Sequence, residues 1–223
     1  MNKTKIEWVR NADGTQGYSW NPIKGLCPVG CWYCYARRIY ERFKLDPKPW
    51  LDVAELNMTV KTRRTGKWVF VCSTFELFHP IADKWRDMIF DVIQRRPDLT
   101  FIVLTKMPEN IDRPMPDNTW LGVSVSRRDD LRRIDKLHEA KSRVRFVSYE
   151  PLLDDDGAAP NGLLSGLDWV IVGRLTGYGH KMNPSRLAVD NIIKTARHWN
   201  IPIFLKNNLR EIWGEPLIQE FPK

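Results

Sequence analysis

The chain has 223 residues, of which 43% are hydrophobic and 28% charged, the composition of an ordinary globular protein with one well-buried core. No apolar run approaches the roughly 20 residues of a membrane-spanning helix, and residues 1–17 lack the apolar core of a signal peptide. We therefore expect one cytoplasmic domain over residues 1–223. The formal charge of +8 suits a phosphate-bearing partner but does not require one, because runs of charge usually form solvated surfaces.

Short apolar runs alternate with stretches of helical period. Because the runs are almost continuously apolar, they are typical of parallel strands covered on both faces, at 18–23, 68–72, 100–105, 120–125, 144–149, 169–173 and 201–205. Helices are predicted after Pro80, Asp130 and Ser185, where apolar residues recur at three- and four-residue steps. The order predicts an α/β fold, expected to be a partial (β/α)6–7 TIM-like barrel, with an open doubly wound sheet as the alternative.

Polar residues follow many of these predicted strands. Ligands of parallel sheets bind at the carboxyl ends of the strands, so these positions form the expected active-site face. The candidates are Ser73, Thr74, Glu76, Thr105, Lys106, Ser124, Ser126, Arg127, Glu150, Lys206 and Asn207.

The chemistry concentrates at residues 26–35, which read LCPVGCWYCY. Cys27, Cys31 and Cys34 are separated by three and then two residues, a cluster that favours metal binding over disulfides in a cytosolic protein. Thiolates select zinc or iron–sulfur clusters, and three ligands leave an open position. Cys72 is expected to be a buried core residue. A histidine as fourth ligand would instead give a non-catalytic, zinc-bearing binding module.

The C-x3-C-x2-C motif, with Tyr33 before the last cysteine, resembles the cluster motif of the radical-SAM superfamily. The strings KIEW, SWNP, STFELFH, LTKMPENI, TWLGVSVS, RFVSYEPLL, WVIVG, LKNNL and WGEPLIQEFP resemble one of its families, first catalogued from phage genomes as a domain of unknown function. One branch of that family contains queuine lyases. The resemblance implies a [4Fe–4S] cluster on Cys27, Cys31 and Cys34, which cleaves S-adenosylmethionine to a 5′-deoxyadenosyl radical. It also implies a reductase or flavodoxin-type electron donor, and a lyase that trims queuine to 7-aminomethyl-7-deazaguanine for salvage.

The resemblance also suggests roles for residues around the cofactor. Tyr33 would touch the adenine, while Ser73 and Thr74 would hold the methionyl amine, with Glu76 shifted along from the usual pattern. Thr105 and Lys106 would pair with the methionyl carboxylate, for which Arg127 is the alternative. Ser124 and Ser126 would bond the ribose hydroxyls.

For the substrate, Glu150 is the expected carboxylate for a base edge or an amine, with Lys106 and His79 as further catalytic candidates. The expected wall residues are Asn21, His79, Lys206 and Asn207. A second hypothesis is a radical-SAM enzyme that acts on tRNA or DNA. Ten Trp residues and three basic runs favour it; the runs are Lys61, Arg63, Arg64 and Lys67; Arg127, Arg128, Arg132 and Arg133; and Lys141, Arg143 and Arg145.

The helix that follows the cysteines carries an apolar stripe. Its members are Tyr35, Ile39, Tyr40 and Phe43. We expect this stripe to pack into the core rather than to touch a cofactor.

Overall fold

The computed structural model describes residues 1–61, 64–154 and 162–222, and it confirms the α/β class. Arg63 of the first basic run lies outside the described residues. The chain divides into two compact units, Met1–Trp120 and Leu121–Lys223, while the expectation of a single functional domain stays a prediction. Among the helices of the described residues, none is long and apolar enough to cross a membrane.

Unit 1 holds six strands and three helices among its described residues. They are β1 (Asn2–Lys3), β2 (Tyr18–Trp20), β3 (Ile23–Lys24), α1 (Tyr35–Phe43), β4 (Trp50–Leu51), α2 (Val53–Lys61), β5 (Trp68–Val71), α3 (Asp83–Gln94) and β6 (Thr100–Thr105). The sheet order is β1-β2-β5-β6, and β3 and β4 form a separate antiparallel pair. β1 is antiparallel to β2, whereas β2, β5 and β6 are mutually parallel.

The strand register sets the functional edge of unit 1. Trp20 lies opposite Val71, and Val71 lies opposite Val103, so β2, β5 and β6 end at the same edge of the sheet. Apolar residues of α3, among them Ile89 and Ile93, are fully or almost fully buried, as the amphipathic pattern predicts. The residues that directly follow these three strands are therefore brought together.

Unit 2 is built on four strands and three helices among its described residues. They are β7 (Thr119–Ser124), whose last four residues belong to this unit, α4 (Arg132–Glu139), β8 (Val144–Tyr149), β9 (Trp169–Val172), α5 (Arg186–His198), β10 (Ile203–Leu205) and α6 (Arg210–Trp213). The strands lie in the order β7-β8-β9-β10, and β9 is parallel to both of its neighbours. Ser185 caps α5 by accepting a hydrogen bond from the Ala188 N–H at 3.0 Å, which confirms the predicted helix start.

Candidate functional site

Glu76 is the central polar group at the carboxyl-end edge of unit 1. It follows β5, is only 6% exposed, and its Oε1 accepts hydrogen bonds from the Thr105 hydroxyl at 2.6 Å and the Phe78 N–H at 3.1 Å. Its Oε2 accepts the backbone N–H of Lys106 at 2.8 Å. Burial raises the pKa of Glu76, while these hydrogen bonds and the charge of Lys106 act in the opposite direction. Glu76 thus ties the segment after β5 to the end of β6.

Lys106 connects this edge to the cysteine loop, residues 25–34. Its Nζ donates a hydrogen bond to the Tyr33 hydroxyl at 2.9 Å and lies 5.3 Å from the centroid of the same ring. The cation is thus held beside the loop that carries the three clustered cysteines. The family resemblance implied that both residues touch the cofactor but did not predict their contact with each other, which depends on the path of the loop.

The cysteine loop is also fixed at its start and at Cys27. Gly25 has φ +96°, and a Cβ there would lie 2.5 Å from the Lys48 carbonyl oxygen, so only glycine fits. Its N–H donates to the Tyr40 hydroxyl at 2.9 Å. Burial raises the pKa of the Cys27 thiol to about 11, although backbone hydrogen bonds at Val29 and Glu76 act to lower it. Cys27 is therefore seated against the segment after β5.

Asn21 and Ser73 extend the polar edge. Asn21 follows β2, and its Oδ1 accepts a hydrogen bond from the Ser73 hydroxyl at 3.1 Å. Burial raises the pKa of Tyr35, while a hydrogen bond with Ser73 acts to lower it. Tyr35 is thus a site-adjacent residue that the sequence assigned only to a helix stripe.

Cys72, directly after β5, is buried and has an unusual backbone conformation. It is 6% exposed and has the left-handed φ of +53°, unusual for a residue other than glycine. Burial raises the pKa of its thiol, and the charges of Glu76 and Cys27 add to that effect. The expected burial of Cys72 is confirmed.

The donor set fits an iron–sulfur cluster in type and number. Cys27, Cys31 and Cys34 are free, partly buried thiols, and the Cys34 N–H donates to the Cys31 carbonyl at 3.1 Å, which folds the loop into a tight turn. In the part of the chain that the structure describes, however, no three His, Cys, Asp or Glu side chains are grouped as a ready metal site. The fit rests on donor chemistry and not on a preformed cage.

The expectation that the α1 stripe packs into the core is wrong. Tyr35, Ile39 and Phe43 are 52%, 42% and 61% exposed. Tyr40 turns inward, where its hydroxyl accepts the Gly25 N–H, and Tyr35 keeps its ring half exposed while its hydroxyl reaches Ser73. A helical period shows that one side of a helix is apolar, but not whether another element covers that side.

Unit 2 brings together two of the predicted substrate residues, Glu150 and Lys206. They follow β8 and β10, and the Lys206 ammonium forms an ion pair with Glu150 Oε1. Gly173, at the end of β9 between them, makes the room, because a Cβ there would lie 2.8 Å from Lys206 Cδ. The pair is a polar centre at the carboxyl ends of three neighbouring strands.

The predicted ribose residues of unit 2 lie beside a small pocket. Ser124 Oγ donates a long, 3.5 Å hydrogen bond to the Glu150 carbonyl, and Asp130 accepts the N–H groups of Ser126 and Arg127 at 2.9 and 3.3 Å. Ser126 and Arg127 line the pocket together with Tyr149, whose buried hydroxyl has no hydrogen-bond partner among the described residues. Tyr149 and Asp130 were not singled out from the sequence.

Two of the predicted residues, His79 and Asn207, make structural contacts, and a third, Thr74, lies in a turn. His79 caps a short 3-10 helix, because its Nδ1 accepts the Ile81 N–H at 3.2 Å. Asn207 Oδ1 accepts a hydrogen bond from Gln219 at 3.1 Å. Thr74 lies partly exposed in the turn after β5. Their catalytic or binding roles stay predictions.

Comparison with known proteins identifies a family but no characterised relative. The family model described as "Protein of unknown function (DUF5131)" matches residues 3–217, and no radical-SAM family model matches. No curated protein and no solved structure matches the chain. The assignment to the radical-SAM superfamily and its queuine lyase branch is therefore wrong, since the family model that matches the chain is that of DUF5131. The chain belongs to the DUF5131 family of proteins of unknown function.

Proposed function

We propose that this chain is an iron–sulfur enzyme that binds a [4Fe–4S] cluster through Cys27, Cys31 and Cys34 and uses it to cleave S-adenosylmethionine. The observation that carries the proposal is the seating of the cysteine loop on the edge of unit 1, through the hydrogen bond that Lys106 Nζ donates to the Tyr33 hydroxyl at 2.9 Å. Three thiolates suit an iron–sulfur cluster and leave one iron without a protein ligand, which is the arrangement a reactive centre needs.

A cluster bound there would supply the sulfonium of S-adenosylmethionine with one electron from a reductase or flavodoxin-type donor, releasing methionine and a 5′-deoxyadenosyl radical. The chain's own residues would bind and orient the ligand. Lys106 offers an ammonium group, already held beside Tyr33, to the methionyl carboxylate. Asn21 and Ser73 offer oxygen acceptors to the methionyl amine. Glu76 acts as a positioning residue, because it holds the backbone of Lys106.

The ligand count gives a sharp test with a matched control inside the chain. After anaerobic reconstitution, we expect Cys27→Ala, Cys31→Ala and Cys34→Ala each to lose the iron and sulfide and the visible absorption, while Cys72→Ala keeps them. Circular dichroism of each variant verifies that it is folded. Zinc without iron in the folded parent chain would establish the zinc-bearing module instead. Loss of iron in folded Cys72→Ala would indicate four thiolates and no open iron, which contradicts the proposal.

Activity is tested separately with S-adenosylmethionine and a chemical reductant. We expect 5′-deoxyadenosine from the reconstituted parent chain and none from Cys31→Ala. The partial (β/α)6–7 barrel stays part of the proposal, supported by parallel pairing within each unit. The lyase activity on queuine rested on the family resemblance alone. It stays a prediction, to be tested by anaerobic turnover of queuine and detection of the trimmed base.

A further inference from the structure

An exposed apolar strip begins within the cysteine loop and continues along α1. We call Trp32, Tyr35, Ile39 and Phe43 the α1 strip; Trp32 is 50% exposed and Phe43 61%. Of the eleven large apolar side chains that are exposed among the described residues, seven lie between positions 32 and 53. Such a concentration marks an interaction surface, because single exposed apolar residues are normally scattered.

The spacing of the strip presents aromatic rings along one side of a helix. Tyr35, Ile39 and Phe43 follow one another at four-residue steps, so they lie on the same side of α1. The eight residue steps from Tyr35 to Phe43 correspond to about 12 Å along the helix axis. Trp32 comes just before the helix and packs edge-to-face on Tyr33, with ring centroids 5.3 Å apart. The strip is long enough for two or three stacked bases.

Positive charge lies between and beside these rings. Arg38 and Arg42 are exposed on the same helix, and Arg42 Cζ lies 5.3 Å from the centroid of the Phe43 ring. Lys44 and Lys48 follow in the exposed loop after α1. Residues 32–50 carry five basic side chains against two acidic ones, so the surface attracts anions.

We propose that the α1 strip binds single-stranded nucleic acid, with bases stacked on Trp32, Tyr35 and Phe43. Arg38, Arg42 and Lys44 neutralise the adjacent phosphates. Aromatic rings and guanidinium groups that alternate along a basic surface are the combination that binds unpaired bases without sequence preference. A duplex keeps its base faces stacked inside and offers the rings nothing to stack on. The inference is independent of the cluster, because its readout is binding, not turnover.

The experiment measures fluorescence anisotropy of a labelled, mixed-sequence 12-nucleotide probe, as single-stranded RNA, single-stranded DNA and duplex DNA, with the full chain. We expect a single-stranded probe to bind more tightly than the duplex. Trp32→Ala and Phe43→Ala should each weaken that binding about 5- to 150-fold, the range that loss of one stacking contact gives. Phe43→Tyr keeps an aromatic ring and should therefore bind the single-stranded probe as tightly as the parent chain does.

Two exposed apolar residues of α5 and its end provide matched controls. Leu187 is 62% exposed and Trp199 38%, so Leu187→Ala and Trp199→Ala remove similar exposed surface and should leave binding unchanged. Equal losses in strip and control variants, or no binding of any probe, would overturn the inference. The inference would also be overturned if salt weakened the binding of the nucleic-acid probes but the aromatic substitutions left it unchanged. Two further outcomes would also overturn the inference. In them, Phe43→Ala abolishes self-association of the chain, or its binding to phosphatidylcholine–phosphatidylserine vesicles, while nucleic-acid binding persists.

Discussion

Replacing the buried carboxylate of Glu76 by an amide tests the architecture of the candidate site directly. Glu76 accepts three hydrogen bonds, two on Oε1 from Thr105 and Phe78 and one on Oε2 from Lys106. The amide of Glu76→Gln can keep both bonds on its oxygen. Its NH₂ group must then face the Lys106 N–H, so one acceptor is lost and two donors are brought together.

The magnitude follows from this count. A hydrogen bond to a charged group contributes roughly 1.5–3 kcal/mol, and relief from burying a charge offsets part of the loss. We therefore expect Glu76→Gln to lower the free energy of unfolding by about 1–2 kcal/mol. Glu76→Ala leaves all three donors without their acceptor and should lower it by at least about 3 kcal/mol.

Urea unfolding at pH 7 measures both effects. Glu109→Gln is the matched control, since Glu109 is exposed and follows β6 by only four residues. A surface substitution of this kind changes the free energy of unfolding by no more than about 0.5 kcal/mol. If Glu76→Gln were as stable as Glu109→Gln, the carboxyl would be protonated in the folded chain, and the reasoning from three donors would fail.

Two further predictions concern packing and charge. Gly122→Ala should lower the free energy of unfolding by about 1–3 kcal/mol in urea unfolding, because its Cβ would overlap the buried Phe146 ring. Gly66→Ala adds the same methyl group where nothing lies within 4 Å but φ is +60°, so it shows the cost of a strained backbone without any overlap, a cost that Gly122→Ala does not carry. The Arg96 guanidinium donates a hydrogen bond to Asp98 and lowers the pKa of that carboxyl. The ion pair therefore stabilises the fold fully above the ordinary pKa of 3.8, and this stabilisation is lost as the pH falls through the lowered pKa. Asp98→Asn should thus cost about 1 kcal/mol at pH 7 after allowance for solvent screening, and a pH series of urea unfolding should show that cost vanishing in acid.

The sequence predicted the long elements well and the short ones poorly. Residues 100–105 and 144–149 were predicted to the residue as β6 and β8, because six-residue apolar runs are buried on both faces. β1 and β4 have two residues each and carry no period. α2 was missed too, because its sequence VAELNMTVK mixes β-branched with helix-favouring residues.

The candidate site was predicted in composition but not in its contacts. Glu76, Thr105 and Lys106 were expected together because parallel neighbours β5 and β6 end at one edge, and the structure brings them into contact. Tyr33 reaches Lys106 only because of the route that the cysteine loop takes. No local pattern encodes that route, since it depends on the fit of Gly25 against a later loop.

The turn that carries Glu76 contacts both the cysteine loop and the cation proposed to bind S-adenosylmethionine in unit 1. The backbone of Glu76 faces the Cys27 thiol, while the carboxylate of the same residue holds the backbone of Lys106. The position of the cysteine loop and the position of the ligand-binding cation are thus set by a single buried side chain and the turn that carries it. The three donors to that carboxylate come from Thr105 at the end of β6, from Lys106 directly after it and from the turn itself, so a shift of the turn moves both the Cys27 contact and the backbone of Lys106. The same hydrogen bonds and the charge of Lys106 offset the cost of burying this carboxylate at the edge of the sheet.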